Sequence, residues 1–180
     1  EEKRHCEALL RLPEQIEQIL ENEELFKPVA ERFSKASSIF FIGRGLDYSI
    51  SLEGSLKLKE ISYIKSEAYA AGELKHGTIS LIEPGTPVFA VATQPDLFEK
   101  TLGNIREVKS RGAYVAALVG EDCENAGEFS DVAIKVPSTL PEYMPSLNVV
   151  PLQLIAYFTA VERGCDVDKP RNLAKSVTVE

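Results

Sequence analysis

Short apolar runs alternate with longer segments of helical periodicity along the whole chain. The apolar runs predict buried strands at 37–43, 87–93, 113–120 and 131–137. Apolar residues at spacings of three and four predict helices at 49–64, 96–112 and 143–163, and two short helices or one broken helix at 14–36. We expect Asn22 to cap the second N-terminal segment, Asp96 to cap the helix at 96–112, and Gly112 to end that helix.

Strands that are continuously apolar and alternate with helices are typical of a parallel sheet covered by helices on both faces. We therefore predict an α/β fold, a three-layer α/β/α domain with a flavodoxin-like parallel sheet of about five strands. Ligands of such sheets bind beyond the carboxyl ends of the strands. The loops at 43–49 and 92–96 lie at that edge.

Neither of these loops carries a strong nucleotide or phosphate motif. GRGLDY follows a strand and precedes a helix, but it lacks the third glycine of GxGxxG and argues against a dinucleotide site. In the second loop Thr93 and Gln94 offer donors, whereas Pro95 has no N–H and Asp96 would repel a phosphate. We therefore expect the main phosphate site of any ligand to lie elsewhere.

The helix at 49–64 has an unusual distribution of charge. At 100° per residue, two apolar arcs flank a narrow charged stripe of Glu53, Lys57 and Glu60. The arcs consist of Leu52, Leu56 and Tyr63 on one side and Ile50, Gly54, Leu58 and Ile61 on the other. A surface helix has one broad polar face, so this stripe predicts a cleft or a subunit contact. The alternative is a solvated Glu53–Lys57 ion pair worth a few tenths of a kcal/mol.

Two further side chains are candidates for proton chemistry. His76 lies in AGELKHG, a short segment with a glycine on each side. A single histidine in a turn is more often structural, although its pKa lies near neutrality. Lys175 lies among small apolar residues of the C-terminal segment, and a partly buried lysine has a lowered pKa that suits a base or a Schiff-base amine.

Composition and charge narrow the function classes. The 180 residues fit one globular domain, and the net charge of −8 argues against nucleic acid as a partner. No uninterrupted apolar run approaches the length of roughly 20 residues that spans a bilayer, so we expect no membrane. Three dispersed cysteines without CxxC predict no metal site and a reducing, cytoplasmic setting. The start EEKRHC lacks an initiator Met, and we expect a piece of a longer protein.

Three segments together resemble one enzyme family. They are LEGSLKLKEISYIKSEAYAAGELKHG (52–77), VPLQLIAY (150–157) and DVDKPRNLAKSVTVE (166–180). They are similar to the C-terminal part of the glutamine–fructose-6-phosphate aminotransferases (isomerizing), also called glucosamine-6-phosphate synthases. That family has a glutaminase domain followed by two sugar isomerase (SIS) domains. The resemblance implies an inter-domain helical segment at 1–36, the second SIS domain at 37–165, and an active-site tail at 166–180.

The resemblance also implies a reaction and its residues. The family converts fructose 6-phosphate and glutamine-derived ammonia into glucosamine 6-phosphate, with no cofactor or metal. Glu60 matches the glutamate that moves the proton between C1 and C2, and Lys57 matches the lysine beside it. His76 matches a ring-opening histidine that acts in the neighbouring subunit's site. Lys175 matches a tail lysine that reaches the substrate carbonyl, and Ala174 matches a backbone contact next to it.

The same resemblance implies partners and leaves alternatives. The phosphate grip belongs to the first SIS domain, so the isolated chain is expected to be inactive, and a glutaminase domain and a homodimer are expected. Lys65 and Thr78 depart from the family pattern, in which His and Pro are common there. A non-catalytic sugar-phosphate sensor, a dimerisation module, and a related isomerase or deglycase remain alternatives.

Overall fold

Five parallel strands form the centre of the structure, a computed structural model that describes residues 1–171 and residue 173. Within these residues the strands are β1 Ser38–Gly43, β2 Lys65–Ala70, β3 Pro87–Ala92, β4 Tyr114–Gly120 and β5 Val132–Val136. Their order is β2-β1-β3-β4-β5, with parallel pairing throughout. This is the flavodoxin-like order, whose topological switch point lies between β1 and β3. The predicted fold class is confirmed.

Helices cover both faces of the sheet. In the described part of the chain they are α1 Glu2–Glu21, α2 Lys27–Ser34, α3 Leu46–Ser62, α4 Phe98–Lys109 and α5 Met144–Glu162. The first three and α5 share one apolar core with the sheet. On the opposite face α4 and the short 3-10 segments after β2 share a second core. These are the three layers that the alternation of strands and helices predicts.

Strand β1 shows why the buried strands read as unbroken apolar runs. Ile39 and Phe41 belong to the core under α3 and α5, whereas Phe40 and Ile42 belong to the core under α4. Alternate side chains of a strand point to opposite faces, and here both faces are covered. The Phe89 ring packs at 5.6 Å from Phe41, and fully burying such a ring contributes roughly 1.5–3 kcal/mol.

Strand β2 is the element that the apolar pattern did not locate. Its sequence KSEAYA alternates polar and small residues, and only Ser66 is fully buried. It lies at the edge of the sheet, where one side of its backbone has no partner strand among the described residues. Hydrogen bonds from Ser66 Oγ to the Ser55 carbonyl at 2.7 Å, and from Ser55 Oγ to Ser66 Oγ at 3.1 Å, hold it against α3. Polar contacts therefore replace the apolar anchor of an inner strand.

Several predicted helix ends are wrong. Helix α3 begins at Leu46 rather than at Ser49, because Gly45, with a φ of +56°, turns the chain directly into the helix. Asn22 ends α1, where its side chain donates to the Gln18 carbonyl at 2.8 Å, and does not cap α2. Asp96 lies in a 3-10 turn before α4 and makes no capping hydrogen bond. Helix α1 also starts twelve residues earlier than the pattern at 14–36 indicated, since it runs from Glu2.

Helix α5 corrects one expectation about apolar length. By length and composition alone it is long and apolar enough to cross a bilayer. Half of it is buried inside this domain, against α1, α2 and α3. A core helix of a globular domain also has these properties. The expectation about membrane-spanning length considered only unbroken apolar runs and so did not include the helix predicted at 143–163.

Candidate functional site

The charged stripe of α3 is present and organised around one lysine. The Nζ atom of Lys57 lies 2.6 Å from Glu60 Oε2 and 3.8 Å from Glu53 Oε1. The side chains of Lys57 and Glu60 are 33% and 27% exposed, so solvent or a ligand reaches both. The spacings i,i+3 and i,i+4 put all three side chains on one helix face. The main ion pair is therefore Lys57–Glu60 and not the Glu53–Lys57 pair considered from the sequence.

The charge state of Lys57 follows from this contact. The hydrogen bond to Glu60 raises the pKa of the Lys57 ammonium above its ordinary value of 10.5, against the opposing effect of partial burial. Lys57 therefore stays protonated at neutral pH and cannot act as a base. The carboxylate of Glu60 is a proton acceptor with a fixed positive charge 2.6 Å away. Such a pair can move a proton and stabilise an anion that forms beside it.

The two apolar arcs of α3 have different environments. Leu58 is 1% exposed, and Gly54 packs so closely on α5 that an added Cβ would lie 2.9 Å from Leu152. On the other side of the stripe Leu52 and Leu56 are 47% and 41% exposed. The stripe therefore runs along the border between the packed core and an open apolar surface.

His76 lies in a separate part of the molecule. It ends a 3-10 segment, Ala71–His76, which Ala71 and Leu74 anchor in the core under α4. The imidazole is exposed. Gly77 follows at a φ of +149°, a conformation that favours glycine. The His76 side chain therefore faces solvent, while Ala71 and Leu74 of the same segment are buried.

His76 and Glu60 of one chain lie near opposite ends of the strands. Helix α3 starts at the carboxyl end of β1 and runs back, so Glu60 is near the amino ends of the strands. His76 follows the carboxyl end of β2, a strand of six residues, which is roughly 20 Å long. The chain therefore does not bring these two candidates together by itself.

The start of the tail is attached at the Glu60 end of α3. Tyr63 follows the helix with a left-handed φ of +61°, and its hydroxyl accepts the backbone N–H of Arg171 at 2.8 Å. The Arg171 guanidinium lies 4.1 Å from the Tyr63 ring centroid. Arg163 donates to the carbonyls of Ser62 at 2.9 Å and Ser34 at 2.8 Å, at the ends of α3 and α2.

Ala174 and Lys175 lie outside the described residues. The attachment of Arg171 brings the chain to the Glu60 end of α3 four residues before Lys175.

Asp47 is a prominent residue that the sequence pattern missed. It is 1% exposed at the carboxyl edge of the sheet, in the first turn of α3. Its carboxylate accepts the Thr93 N–H at 2.7 Å, the Thr93 hydroxyl at 2.7 Å and the Gln94 N–H at 3.1 Å. Asn148, on α5, donates to Thr93 Oγ1 at 2.7 Å. Burial raises the pKa of Asp47, and the hydrogen bonds from Thr93 and Gln94 oppose that effect.

A signal for Asp47 was present in the sequence. A carboxylate two residues after the glycine turn GRG lies at a helix start, where anionic side chains are favoured. The predicted start at Ser49 concealed it. The partners of Asp47 lie 46, 47 and 101 residues away along the chain, so local pattern could not identify them.

Comparisons with known proteins agree with this architecture. A family model described as "SIS domain" matches residues 32–163. Glutamine–fructose-6-phosphate aminotransferase (isomerizing) from Caldanaerobacter subterraneus subsp. tengcongensis is 58% identical over 96% of this chain and 28% of its own length. The protein of that name from Clostridium tetani is 55% identical over 97% of this chain and 29% of its own length. The chain thus spans less than a third of these curated relatives.

A solved structure shows the same relationship. The C-terminal domain of glucosamine-fructose-6-phosphate aminotransferase from Francisella tularensis has a TM-score of 0.88 to this chain at 35% identity. The match covers 92% of this chain and 47% of that one. The solved chain is therefore about twice as long as the region it shares with this one.

Proposed function

Because the chain belongs to the SIS domain family, a family of sugar isomerase modules, we propose that it is the second SIS domain of an enzyme that forms glucosamine 6-phosphate. The substrates of that enzyme are fructose 6-phosphate and glutamine, which supplies ammonia. The observation that carries the proposal is the Lys57–Glu60 pair, about a third exposed and 2.6 Å apart, on a helix bordered by an open apolar surface. The identity of 58% with a named aminotransferase supports the choice of substrates.

The proposed chemistry assigns distinct roles to the pair. Ammonia condenses with the C2 carbonyl of the open-chain ketose, whose oxygen leaves as water, and the ketose-to-aldose conversion then takes a proton from C1 of the sugar and returns it at C2. The Glu60 carboxylate accepts the proton, becomes neutral, and gives it back, so that one group serves as base and then as acid. Negative charge develops on the heteroatom at C2 of the substrate between the two steps. The Lys57 ammonium, fixed by its raised pKa in the charged form, stabilises that charge.

The remaining proposed groups come from other segments. Lys175 is the amine or base that reaches the substrate carbonyl, with Ala174 as a backbone contact beside it; the attachment of Arg171 to Tyr63 supports an approach from the Glu60 end of α3. His76 opens the sugar ring in the site of a second subunit. His76 follows the carboxyl end of β2, whereas Glu60 lies near the amino ends of the strands. This separation supports a role of His76 across a dimer.

The proposed enzyme requires parts that this chain does not contain. We place the phosphate grip in a sister SIS domain and the ammonia supply in a glutaminase domain, and we expect a cytoplasmic homodimer. The length of the relatives supports additional domains, because this chain corresponds to 28% of one of them. We expect the 180-residue chain alone to form no glucosamine 6-phosphate; formation of that product by the chain alone would contradict the division of the site.

The test is a pair of matched substitutions in the full-length enzyme. Glu60→Gln should lower kcat by about 10²–10⁴-fold and leave sugar-phosphate binding largely intact, because the amide keeps the shape but accepts no proton. Glu53→Gln is the control, since Glu53 lies on the same stripe and also contacts Lys57, at 3.8 Å. It should change kcat little. Equal activity of the Glu60→Gln enzyme and the wild type would reduce Glu60 to a contact and favour a non-catalytic sugar-phosphate sensor.

A dimerisation module is the second candidate function. The exposed Leu52 and Leu56 beside the stripe favour it, because an open apolar surface on a helix suits a subunit contact. In a pure dimerisation module His76→Ala would leave turnover of the full-length enzyme unchanged and lower only dimer stability. A fall in turnover of an intact dimer would reject it.

A further inference from the structure

The carboxylate of Asp47 is bound in the manner of a captured anion. Two backbone N–H groups and one hydroxyl, from Thr93 and Gln94, converge on it at 2.7–3.1 Å. The Asn148 amide nitrogen adds a longer contact at 3.4 Å. Donors of this kind, gathered at a loop after a strand, form the usual binding nest for phosphate and other oxyanions.

The position of this nest is the second observation. It lies at the carboxyl end of β3, beside the turn between β1 and α3, which is the switch point of the strand order. External ligands of open parallel sheets bind at that point. Here the first turn of α3 occupies it, because the backbone of Asp47 lies so near Gly43 that an added Cβ would come within 2.6 Å. The first turn of α3 therefore packs directly against the carboxyl end of β1, and the Asp47 carboxylate occupies the nest.

Asn148 shows that the donors are arranged for negative charge. Asn148 is completely buried. Its side-chain nitrogen donates to Thr93 Oγ1 at 2.7 Å and lies 3.4 Å from Asp47 Oδ1. Its Oδ1 atom is buried without a hydrogen-bond partner among the described residues. A buried, unpartnered oxygen is unfavourable, so the amide is held with its donor side towards the anion at the expense of its acceptor side.

We propose that Asp47 is a built-in anion that closes an oxyanion-binding site at the switch point, and so determines that this domain takes no phosphate group there. Removal of the carboxylate leaves the N–H groups of Thr93 and Gln94 without their acceptor. Inorganic phosphate, or the phosphoryl group of a sugar phosphate, then replaces it. The inference does not depend on the catalytic roles proposed for Glu60 or Lys57.

A cavity adjoins this site on the side of Thr93 and Gln94. Thr93 and Gln94 also line a cavity of about 370 Å³ at the carboxyl ends of the strands, with Phe98 and Met144 among its apolar walls. Two exposed acidic residues, Asp122 and Glu124, line the same cavity. They repel an entering anion, so the opened site binds phosphate more weakly than a dedicated one, and salt strengthens binding by screening that repulsion.

The test measures binding of inorganic phosphate to the 180-residue chain, in which no sister domain contributes a site. Asp47→Ala and Asp47→Ser should bind phosphate at least about tenfold more tightly than the wild type, by calorimetry and by phosphate-dependent thermal shift. Asp47→Asn should gain nothing, because its amide fills the same space. Asp96→Asn is the charge-matched control in the neighbouring loop and should also gain nothing.

Two further arms make each outcome decisive. Adding Thr93→Val to Asp47→Ala removes the hydroxyl donor and should abolish the gained affinity. If Asp47→Ala does not fold in chloride, circular dichroism during a phosphate titration replaces calorimetry, and refolding by phosphate but not by chloride of equal ionic strength supports the proposal. The proposal is overturned if a folded Asp47→Ala chain binds phosphate no more tightly than the wild type. It is also overturned if Asp96→Asn gains the same phosphate affinity, or if Asp47→Ala is unfolded and phosphate does not refold it.

Discussion

The guanidinium of Arg171 lies 4.1 Å from the centroid of the Tyr63 ring, and the backbone N–H of the same arginine donates to the Tyr63 hydroxyl at 2.8 Å. One tyrosine thus holds one tail residue by two different contacts. Tyr63 directly follows the helix that carries Lys57 and Glu60. The contact therefore joins the start of the tail to the helix of the charged pair.

Loss of this contact should slow the full-length enzyme. Tyr63→Leu removes both the ring and the hydroxyl, so the segment before Lys175 loses its attachment and we expect kcat to fall about tenfold with little change in KM. Tyr63→Phe keeps the cation–π contact, worth about 0.5–1 kcal/mol, and should recover most of the activity. Steady-state kinetics measure both. Tyr157→Leu, at another partly exposed tyrosine, is the control, and an equal loss there would show a general packing effect.

The titration of Lys57 should report its ion pair. The hydrogen bond to Glu60 raises the pKa of Lys57 in the folded protein above its ordinary value of 10.5. The ion pair therefore stabilises the folded state fully below pH 10.5, and this stabilisation is lost as the pH rises through the pKa of Lys57 in the folded protein. Glu60→Gln should lower the midpoint towards 10.5, and Glu53→Gln should lower it less, because Glu53 lies at 3.8 Å rather than 2.6 Å. NMR of the lysine side-chain signals measures this. A larger effect of Glu53→Gln would contradict the geometry.

A mixed dimer tests the placement of His76. If His76 acts in the neighbouring site, co-assembly of Glu60→Gln and His76→Ala full-length subunits creates one site with both groups intact in each mixed dimer. With random assembly, activity should return to about a quarter of the wild-type value. If both groups act within one subunit, every site lacks one of them and the mixture stays inactive. The separately purified variants, assayed before mixing, give the baseline.

Gly54 should tolerate no side chain, in contrast to Gly103. An added Cβ at Gly54 would lie 2.9 Å from Leu152 Cδ2, so Gly54→Ala overpacks the α3–α5 contact and should destabilise the fold by about 1–3 kcal/mol. Gly103 lies in α4 with nothing within 4 Å of such a Cβ. Gly103→Ala should stabilise by up to about 1 kcal/mol. Urea denaturation of the two variants measures the difference, and the same sign for both would reject this packing.

Asp131 should stabilise the fold in a pH-dependent way. Burial alone would raise its pKa, but hydrogen bonds from Lys109 at 2.8 Å and the Val115 N–H at 2.7 Å hold that pKa below its ordinary value of 3.8. Its contribution is present above the unfolded pKa and is lost as pH falls through the folded pKa. Asp131→Asn should cost about 1 kcal/mol at pH 7, a value reduced for partial exposure, and less in strong acid. Denaturation of Glu128→Gln, an exposed neighbour, gives the control; a pH-independent cost would contradict the assignment.

The sequence predicted those elements whose burial leaves a regular pattern. Strand β1 was found because both of its faces are covered, and the stripe of Lys57 and Glu60 was found because helical periodicity places both on one face. Strand β2 was missed because an edge strand held by Ser66 needs no apolar run. Asp47 was missed because its partners meet only when β3 and α5 are in place. Interactions between distant segments leave no local period.

Arg163 has a mechanical consequence for the tail. Its side chain is fastened to the last carbonyls of α2 and α3, while its backbone N–H bonds to the last turn of α5. Charged donors make such hydrogen bonds stronger than neutral ones. A pull on the chain beyond residue 163 is therefore shared by three helices at one corner of the domain, instead of peeling α5 from its end.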